Sequence, residues 1–428
     1  MISDAPKRFP LALVGLLTAA AFGPYVSGSV RTEQLAVYGT AALLVPLTFF
    51  HARPYWPLIA PWFGILLVSL LGLVPPAAYT PAYEAGTLLS GLDNLTLPLI
   101  VMMLVWSVVP RSSATSALSV VAAIIVWITA ANGLLSMVGT QVDLSAFLRP
   151  FWSGDIGETT AERAAQMGRL SGIFNQPAEA GVVYGVAGIL AVWRYRNKPK
   201  TTLMLLALIS IGGMLCVSKV FILGGIPLIL IHLWKSRAGF GNVGLLFGAA
   251  LVAAGVAQSG FFQEWTGFNY LARLVAPDQD QGLIEFYSAG RWNEEAGMMA
   301  VFDVVVDASP VFGFGLAGIQ MPYDSAWTEV MVLDGLLGAV LLCIVYWAIF
   351  RMARRLLEPD LRLMATFLAL FLAGASLGIP SLTVNRASTI VWVVLALLCM
   401  VAMRPRAART SRTDATGLPI LTTREVSH

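Results

Sequence analysis

Stretches of about 20 apolar residues follow one another almost from end to end of this chain, and that succession constrains its fold more than any other feature. A segment of that length crosses the hydrocarbon core of a bilayer as a helix and satisfies its backbone hydrogen bonds internally. The composition agrees: 57% of the 428 residues are hydrophobic, 12% are charged and mean hydropathy is +0.76. Soluble domains carry roughly 25% charged residues, so a chain with about half that share cannot coat its surface against water. The expected fold is therefore all-α, a polytopic transmembrane helical bundle forming one membrane domain over residues 1–404. A basic cytoplasmic tail is expected over 405–428.

By length and apolarity there are about 12 expected spans. They lie near 10–30, 34–50, 57–76, 92–109, 115–139, 176–193, 201–217, 219–234, 243–259, 326–350, 363–379 and 388–403. Lys7 and Arg8 precede the first span, and no small-residue cleavage site follows it, so it reads as an uncleaved helix. The pair Ser218 and Lys219 marks a tight reversal between two spans. Orientation follows the lysines and arginines of the loops. Placing both termini in the cytoplasm puts Arg53, Arg111, Arg194, Arg196, Lys235, Arg351, Arg354, Arg355 and the basic tail inside. The outer side then keeps Arg31, Arg149, Arg163, Arg169, Lys219, Arg273, Arg291 and Arg386.

Two outer segments, 139–175 and 260–325, are too long for simple turns and rich in aromatics and mixed charge, so the working face is expected there. The large loop comes just before the last three spans. Within it, 288–307 reads as an amphipathic helix: Trp292, Ala296, Met299, Phe302 and Val306 recur at spacings of three and four, Ser288 caps the start and Pro310 ends it.

The candidate chemistry is anion recognition. Arg169, Lys219 and Arg291 stand near span ends or open the loop helix on the side where positive charge is disfavoured. The alternative for each is an interfacial cation reaching headgroups. An arginine fork matches two phosphate oxygens and stays charged at any working pH, so the set suits a lipid pyrophosphate. The histidines are His51, His232 and His428; the first two fall on the cytoplasmic side and the last is terminal, so none is expected on the outer face. A base there must be a carboxylate or the substrate's own phosphate. Asp324 and Glu329 are the candidates, with capping of a helix as the plainer role for Asp324. Ser325 shares a helix face with Glu329. Asp334 lies deeper in the same span, either functional or a satisfied packing residue.

Other patterns point nowhere. The pair Asp278 and Asp280 sits in a Pro-Asp-Gln-Asp-Gln-Gly turn and reads as solvated, Gly313 and Gly315 lack a βαβ context, and no phosphate-binding GxxxxGK[ST] motif occurs. Cys216, Cys343 and Cys399 lie in apolar runs at no metal-ligand or disulfide spacing, and read as small buried hydrophobes. No metal or cofactor is called for.

Three stretches carry a resemblance: Gly168-Arg169-Leu170-Ser171-Gly172-Ile173-Phe174-Asn175-Gln176-Pro177; Ser218-Lys219; and Gly290-Arg291-Trp292 followed by Pro310, Gly313, Gly315, Asp324-Ser325 and Gly335-Leu336-Leu337-Gly338. In this order, and with this hydropathy plan, the chain resembles the superfamily of bacterial O-antigen ligases and O-antigen and exopolysaccharide polymerases. It departs from ligases at Asp324, where they carry histidine, and is more similar to polymerases there. The resemblance implies a metal-independent glycosyltransferase of the bacterial plasma membrane that joins undecaprenyl-pyrophosphate-linked oligosaccharide repeat units at the outer face. Arg291 and Arg169 would hold the leaving pyrophosphate, Lys219 would assist, and Asp324 would serve the acceptor hydroxyl with Glu329 as alternate. Trp292 and Trp327 would stack on sugars or anchor at the interface. A flippase and a chain-length regulator are the implied protein partners; nucleic acid is not expected. A ligase, a secondary transporter and a glycan-anchoring structural protein are the alternatives.

Overall fold

The computed structural model describes residues 5–48, 54–71, 88–155, 157–236, 297–318 and 325–403, together with Gly267 and Tyr323. These residues are mostly helical. Helices α1 (Ala5–Ala20), α2 (Thr32–Thr48), α3 (Trp56–Leu71), α4 (Leu88–Val108) and α5 (Ala114–Val138) precede two short ones, α6 (Ser145–Trp152) and α7 (Thr160–Gln166). Then come α8 (Pro177–Arg194), α9 (Pro199–Leu215), a π-helical turn (Val220–Gly225) running into α10 (Ile226–Lys235), α11 (Gly297–Ala308), α12 (Ala326–Arg355), α13 (Pro359–Ala375) and α14 (Asn385–Ala402). The expected span 243–259 and the tail 405–428 lie outside the described residues, as does most of the large loop 260–325.

Among the described residues, four helical stretches are long and apolar enough to cross a membrane: Gly91–Val108, Arg111–Val138, Ala326–Arg355 and Asn385–Ala402. Shorter apolar helices pack among them. A 16-residue helix such as α3 is about 24 Å long at 1.5 Å per residue, somewhat less than a hydrocarbon core of about 30 Å. The membrane-facing surface shows on α12, where Leu336, Val340 and Trp347 are each 56% exposed at helical spacing with Ile344 beside them. Cys343 falls on this stripe and is exposed, unlike the buried Cys216 and Cys399, so the expectation of a buried thiol fails there. At the other extreme, 83% of the α14 window is buried, against 50% for the α4 and α5 windows. The last helix is therefore the centre of the bundle, and α4, α5, α8 and α12 all pack on it.

Three further sequence expectations are corrected. The first span does not run over 10–30: α1 stops at Ala20, and Gly23-Pro24 leads into an antiparallel hairpin, Tyr25–Ser27 with Val30–Arg31, closed by Gly28 at φ 53°. Proline has no amide proton for a helix to use, and glycine favours the turn, so the helix ends there despite apolar residues beyond. The loop helix shows a different buried face. Val306, expected on the apolar stripe, is 44% exposed, whereas Val305 is fully buried against Phe314 and Val332. Its expected first half, with Ser288, Trp292 and Ala296, lies outside the described residues.

The third correction concerns α12, which is not continuous. Gly335 adopts φ 62° and ψ −153°, a conformation open essentially to glycine alone. The Pro310–Gly315 turn fits into the break: Leu336 N donates to Pro310 O at 2.9 Å, Leu337 N to Val311 O at 3.1 Å, and Phe314 N to Val332 O at 2.7 Å. The backbone groups freed by the break are thus paired with protein rather than left bare. Asp334, beside the break, is fully buried and accepts from Ser69 Oγ of α3 at 2.6 Å.

The bundle has two chemically distinct ends. One carries the cations Arg194, Arg196 and Arg355: Arg196 pairs with Glu358 and Asp360, each at 3.1 Å, and Arg355 lies over the Tyr55 ring. The hairpin, α6, α7 and the starts of α8, α12 and α14 gather at the other, hereafter the loop end. There Gly28 bridges to Gly154, and Arg31 of the hairpin reaches Asn385.

Candidate functional site

The segment between α7 and α8 is an irregular chain held by side chains from several helices. Gly168 at φ 75° and Gly172 at φ 62° let it turn twice. No side chain fits at Gly172, where a Cβ would lie 2.0 Å from Asn132 Oδ1. Asn132 of α5 accepts from Ile173 N at 2.8 Å and donates to Ser171 O at 3.2 Å and to the Tyr184 hydroxyl at 2.8 Å. Trp152 of α6 donates its indole N–H to Gly172 O at 2.7 Å. The backbone polar groups of this loop therefore find partners inside the protein, as a buried loop requires. Pro177 then opens α8 at a position where the missing N–H costs nothing.

This arrangement carries Arg169 to the end of α9. Leu170 N donates to Leu215 O at 2.9 Å, and Arg169 Nη2 contacts Val217 O at 3.4 Å, a long hydrogen bond. Val217, at φ 47°, makes the reversal expected at Ser218-Lys219. Ser218 is buried where α8 offers only a glycine; a Cβ on Gly181 would stand 2.0 Å from Ser218 Oγ. Lys219 then leads into the π-helical turn, a form that is rare and often found at functional sites. Arg169, 48 positions earlier in the chain, thus touches the start of the reversal that Lys219 continues.

Ser325 and Glu329 form a second group. Ser325 caps α12 by accepting from Trp327 N at 3.2 Å and donates its hydroxyl to Ser376 O at 3.1 Å. Glu329 is 8% exposed, and its Oε2 accepts from Thr383 Oγ1 at 2.7 Å. Ser376 is also bonded to the Tyr346 hydroxyl and to Ser381, so the α13–α14 connection gathers several buried hydroxyls. That connection borders the first group as well: a Cβ on Gly378 would come within 3.3 Å of Val220 Cγ2, next to Lys219. Trp327 packs near Tyr346, with ring centroids 6.2 Å apart. Arg291, Trp292 and Asp324 lie outside the described residues.

Arg149 and Arg163 have local partners. Arg163 Nε pairs with Glu158 at 2.9 Å and Arg149 Nη1 with Glu162 at 3.5 Å. Glu162 also closes a capping box with Thr159 at the start of α7.

The sequence reading missed the most heavily charged feature of the loop end. Arg31, Glu33, Glu179 and Arg386 are all at most 4% exposed. Arg31 Nε lies 2.8 Å from Glu33 Oε1, an ion pair off the hydrogen-bond direction, while its Nη2 bonds Asp93 Oδ2 at 3.1 Å and its Nη1 bonds Asn385 Oδ1 at 2.7 Å. Asp93 also accepts from Gln34 and Tyr38, each at 2.6 Å. Arg386 donates to Ile173 O at 2.9 Å and to Phe151 O at 2.6 Å, its backbone N–H donates to Glu179 Oε1 at 3.0 Å, and its guanidinium lies 5.1 Å from the Tyr25 ring centre. Burial alone would pull the Arg31 guanidinium down; Glu33 and Asp93 outweigh it, and its pKa lies above the ordinary value. The cluster ties the hairpin, α2, α4, α8, α14 and the Arg169 segment into one rigid end. The available signal was a set of single charges at the lips of apolar runs, which are costly near a membrane and so rarely idle.

Comparison with protein-family models finds no match to this chain, and comparison with curated proteins finds none either.

Proposed function

We propose that this protein is a membrane glycosyltransferase that polymerises oligosaccharide repeat units carried on undecaprenyl pyrophosphate, working at the loop end of the bundle, which faces outward in a bacterial plasma membrane with both termini cytoplasmic. The observation that carries the reading is the meeting of Arg169 with the Val217–Lys219 reversal, on a connection shared with Ser325 and Glu329. Two cations held on a braced backbone suit the developing charge of a leaving pyrophosphate, because fixed donors need not reorganise as the bond breaks. In the reaction, an acceptor hydroxyl oxygen bonds to the anomeric carbon of the donor unit while the carbon–oxygen bond to the pyrophosphate breaks. The hydroxyl proton passes to a carboxylate, Asp324 or Glu329, or to the departing pyrophosphate. Arg291 would complete the cationic grip, and Trp292 would line the sugar path. No metal takes part. The twelve-span plan, a flippase supplying the donor and a regulator of chain length belong to the same proposal, as does a ligase using the same donor on a different acceptor.

The test is Arg169→Ala in cells that make the glycan. Chain extension should stop and single lipid-linked units should accumulate at normal protein level. Arg169→Lys, which keeps charge but loses the fork, should restore it only in part. Polymer of normal length in the alanine variant would overturn the reading. Full-length chains left on the carrier would instead identify a ligase.

One observation favours a second reading. A helix broken at Gly335, with the buried carboxylate of Asp334 beside the break, is a construction that secondary transporters use at their binding sites. A transporter would lose uptake of its solute on Asp334→Asn with the glycan pool unchanged.

A further inference from the structure

We propose that the cleft between α5, α6 and α7 at the loop end binds the glycan portion of a substrate, separately from the cations that serve the pyrophosphate. The inference rests on the proposed glycosyltransferase reading and names which part of the substrate lies where. The cleft encloses about 760 Å³, within the range of roughly 300–1,000 Å³ typical of ligand sites. Its floor is the end of α5 at Leu135 and Ser136, α6 and α7 form two walls, and the Leu170–Gly172 backbone closes the back. That back wall directly follows Arg169, so the cleft and the cationic group lie against one braced segment.

The lining decides the ligand class. Gln141, Asp143, Arg149, Glu162 and Gln166 surround the cavity. Asp143 Oδ1 is fixed by Ser145 N at 2.8 Å, Glu162 Oε2 by Thr159 N at 2.7 Å, and the Gln166 amide by Glu158 Oε1 at 3.1 Å. Asp143 and Gln166 are each oriented by one of these bonds and Glu162 also by Arg149 at 3.5 Å, and all keep further hydrogen-bonding capacity, so little rotamer freedom is lost when a ligand arrives. Arg149 pairs with Glu162, and Arg163, just outside the lining, pairs with Glu158, so the carboxylate of Asp143 leaves the cavity with a net negative charge. An acidic surplus repels a pyrophosphate and an anionic headgroup. It suits a ligand rich in hydroxyls, which both donate and accept. Trp152 and Leu148, 4% and 6% exposed, offer a narrow apolar edge at the back of the same cavity, beside polar groups that suit the hydroxyls of a sugar.

The experiment uses the full-length protein in detergent micelles. The probe is the set of oligosaccharides released from the host's own extracellular polysaccharide by partial acid hydrolysis, with binding followed by calorimetry. Wild type should bind them and Gln141→Ala/Gln166→Ala should bind at least tenfold more weakly. Both glutamines are exposed, so their removal spares the fold. Thr160→Ala, exposed on α7 and outside the lining, should bind like wild type and controls for damage to that helix. In cells the double variant should make shorter chains. Arg169→Ala should bind the fragments normally while making no polymer. Absence of binding by wild type, or equal binding by the double variant, overturns the glycan cleft and leaves the Arg169 test standing. Normal polymer in Arg169→Ala together with fragment binding lost in the double variant would preserve the cleft and remove the polymerase reading.

Discussion

Replacing Arg386 by methionine should be among the most destabilising single changes in the chain. The substitution keeps much of the volume and removes the guanidinium. Ile173 O and Phe151 O each lose a donor, at 2.9 and 2.6 Å, and Glu179, fully buried, loses the cation with the larger of its two favourable charge interactions. A buried carbonyl left unmatched costs roughly 1–3 kcal/mol. Removing one partner from a buried charge group costs about 3–5 kcal/mol, a figure that already contains part of the first. The expected loss is therefore about 3–5 kcal/mol. It should appear as a drop of several degrees in the unfolding midpoint in detergent micelles. Arg386→Lys should fall between, since an ammonium keeps the charge but cannot span both carbonyls. The comparison is Arg163→Met. Arg163 and Glu158 are as close, at 2.9 Å, but 67% and 49% exposed, and a pair open to water contributes almost nothing. An equal midpoint shift for the two methionine variants would refute the reasoning, because it would mean that burial does not set the worth of these charges.

Gly133→Ala should separate α5 from α9, because the new methyl would lie 2.2 Å from the Leu208 carbonyl oxygen; a loss of about 1–3 kcal/mol is expected in the same unfolding assay. Gly39→Ala, at a helix position with nothing within 4 Å, should be neutral or slightly stabilising. Gly335→Ala should cost about 1–3 kcal/mol from its backbone conformation alone, and more because a Cβ would stand 2.6 Å from Val311 O. Faster proteolysis at the Pro310–Gly315 turn in that variant would report release of the inserted segment.

Hydropathy made the helical, membrane-spanning character legible, since apolar runs of about 20 residues have the length of a spanning helix, which satisfies its backbone groups internally. It also located the ordered first loop, the reversal at Ser218-Lys219 and the shared face of Ser325 and Glu329, because each depends on residues near one another in the chain. The end of α1 at Ala20 was misplaced because apolarity continues through the hairpin, and only Gly23-Pro24 signals the stop. The break at Gly335 was invisible for a different reason: a left-handed residue in mid-helix is tolerable only because the Pro310–Gly315 turn, distant in sequence, supplies its hydrogen bonds.

By itself, the sequence determined how much of this chain must avoid water and which few residues carry charge. Tertiary structure alone decided which of those charges meet. Arg31 and Arg386, with no more to distinguish them in sequence than any loop cation, became the centre of a buried cluster, while Arg163 stayed at the surface. A charge's contribution depends on its distance from others and on the water excluded around it. Those distances span hundreds of residues, as between Arg31 and Asn385, and exist only once the helices have packed.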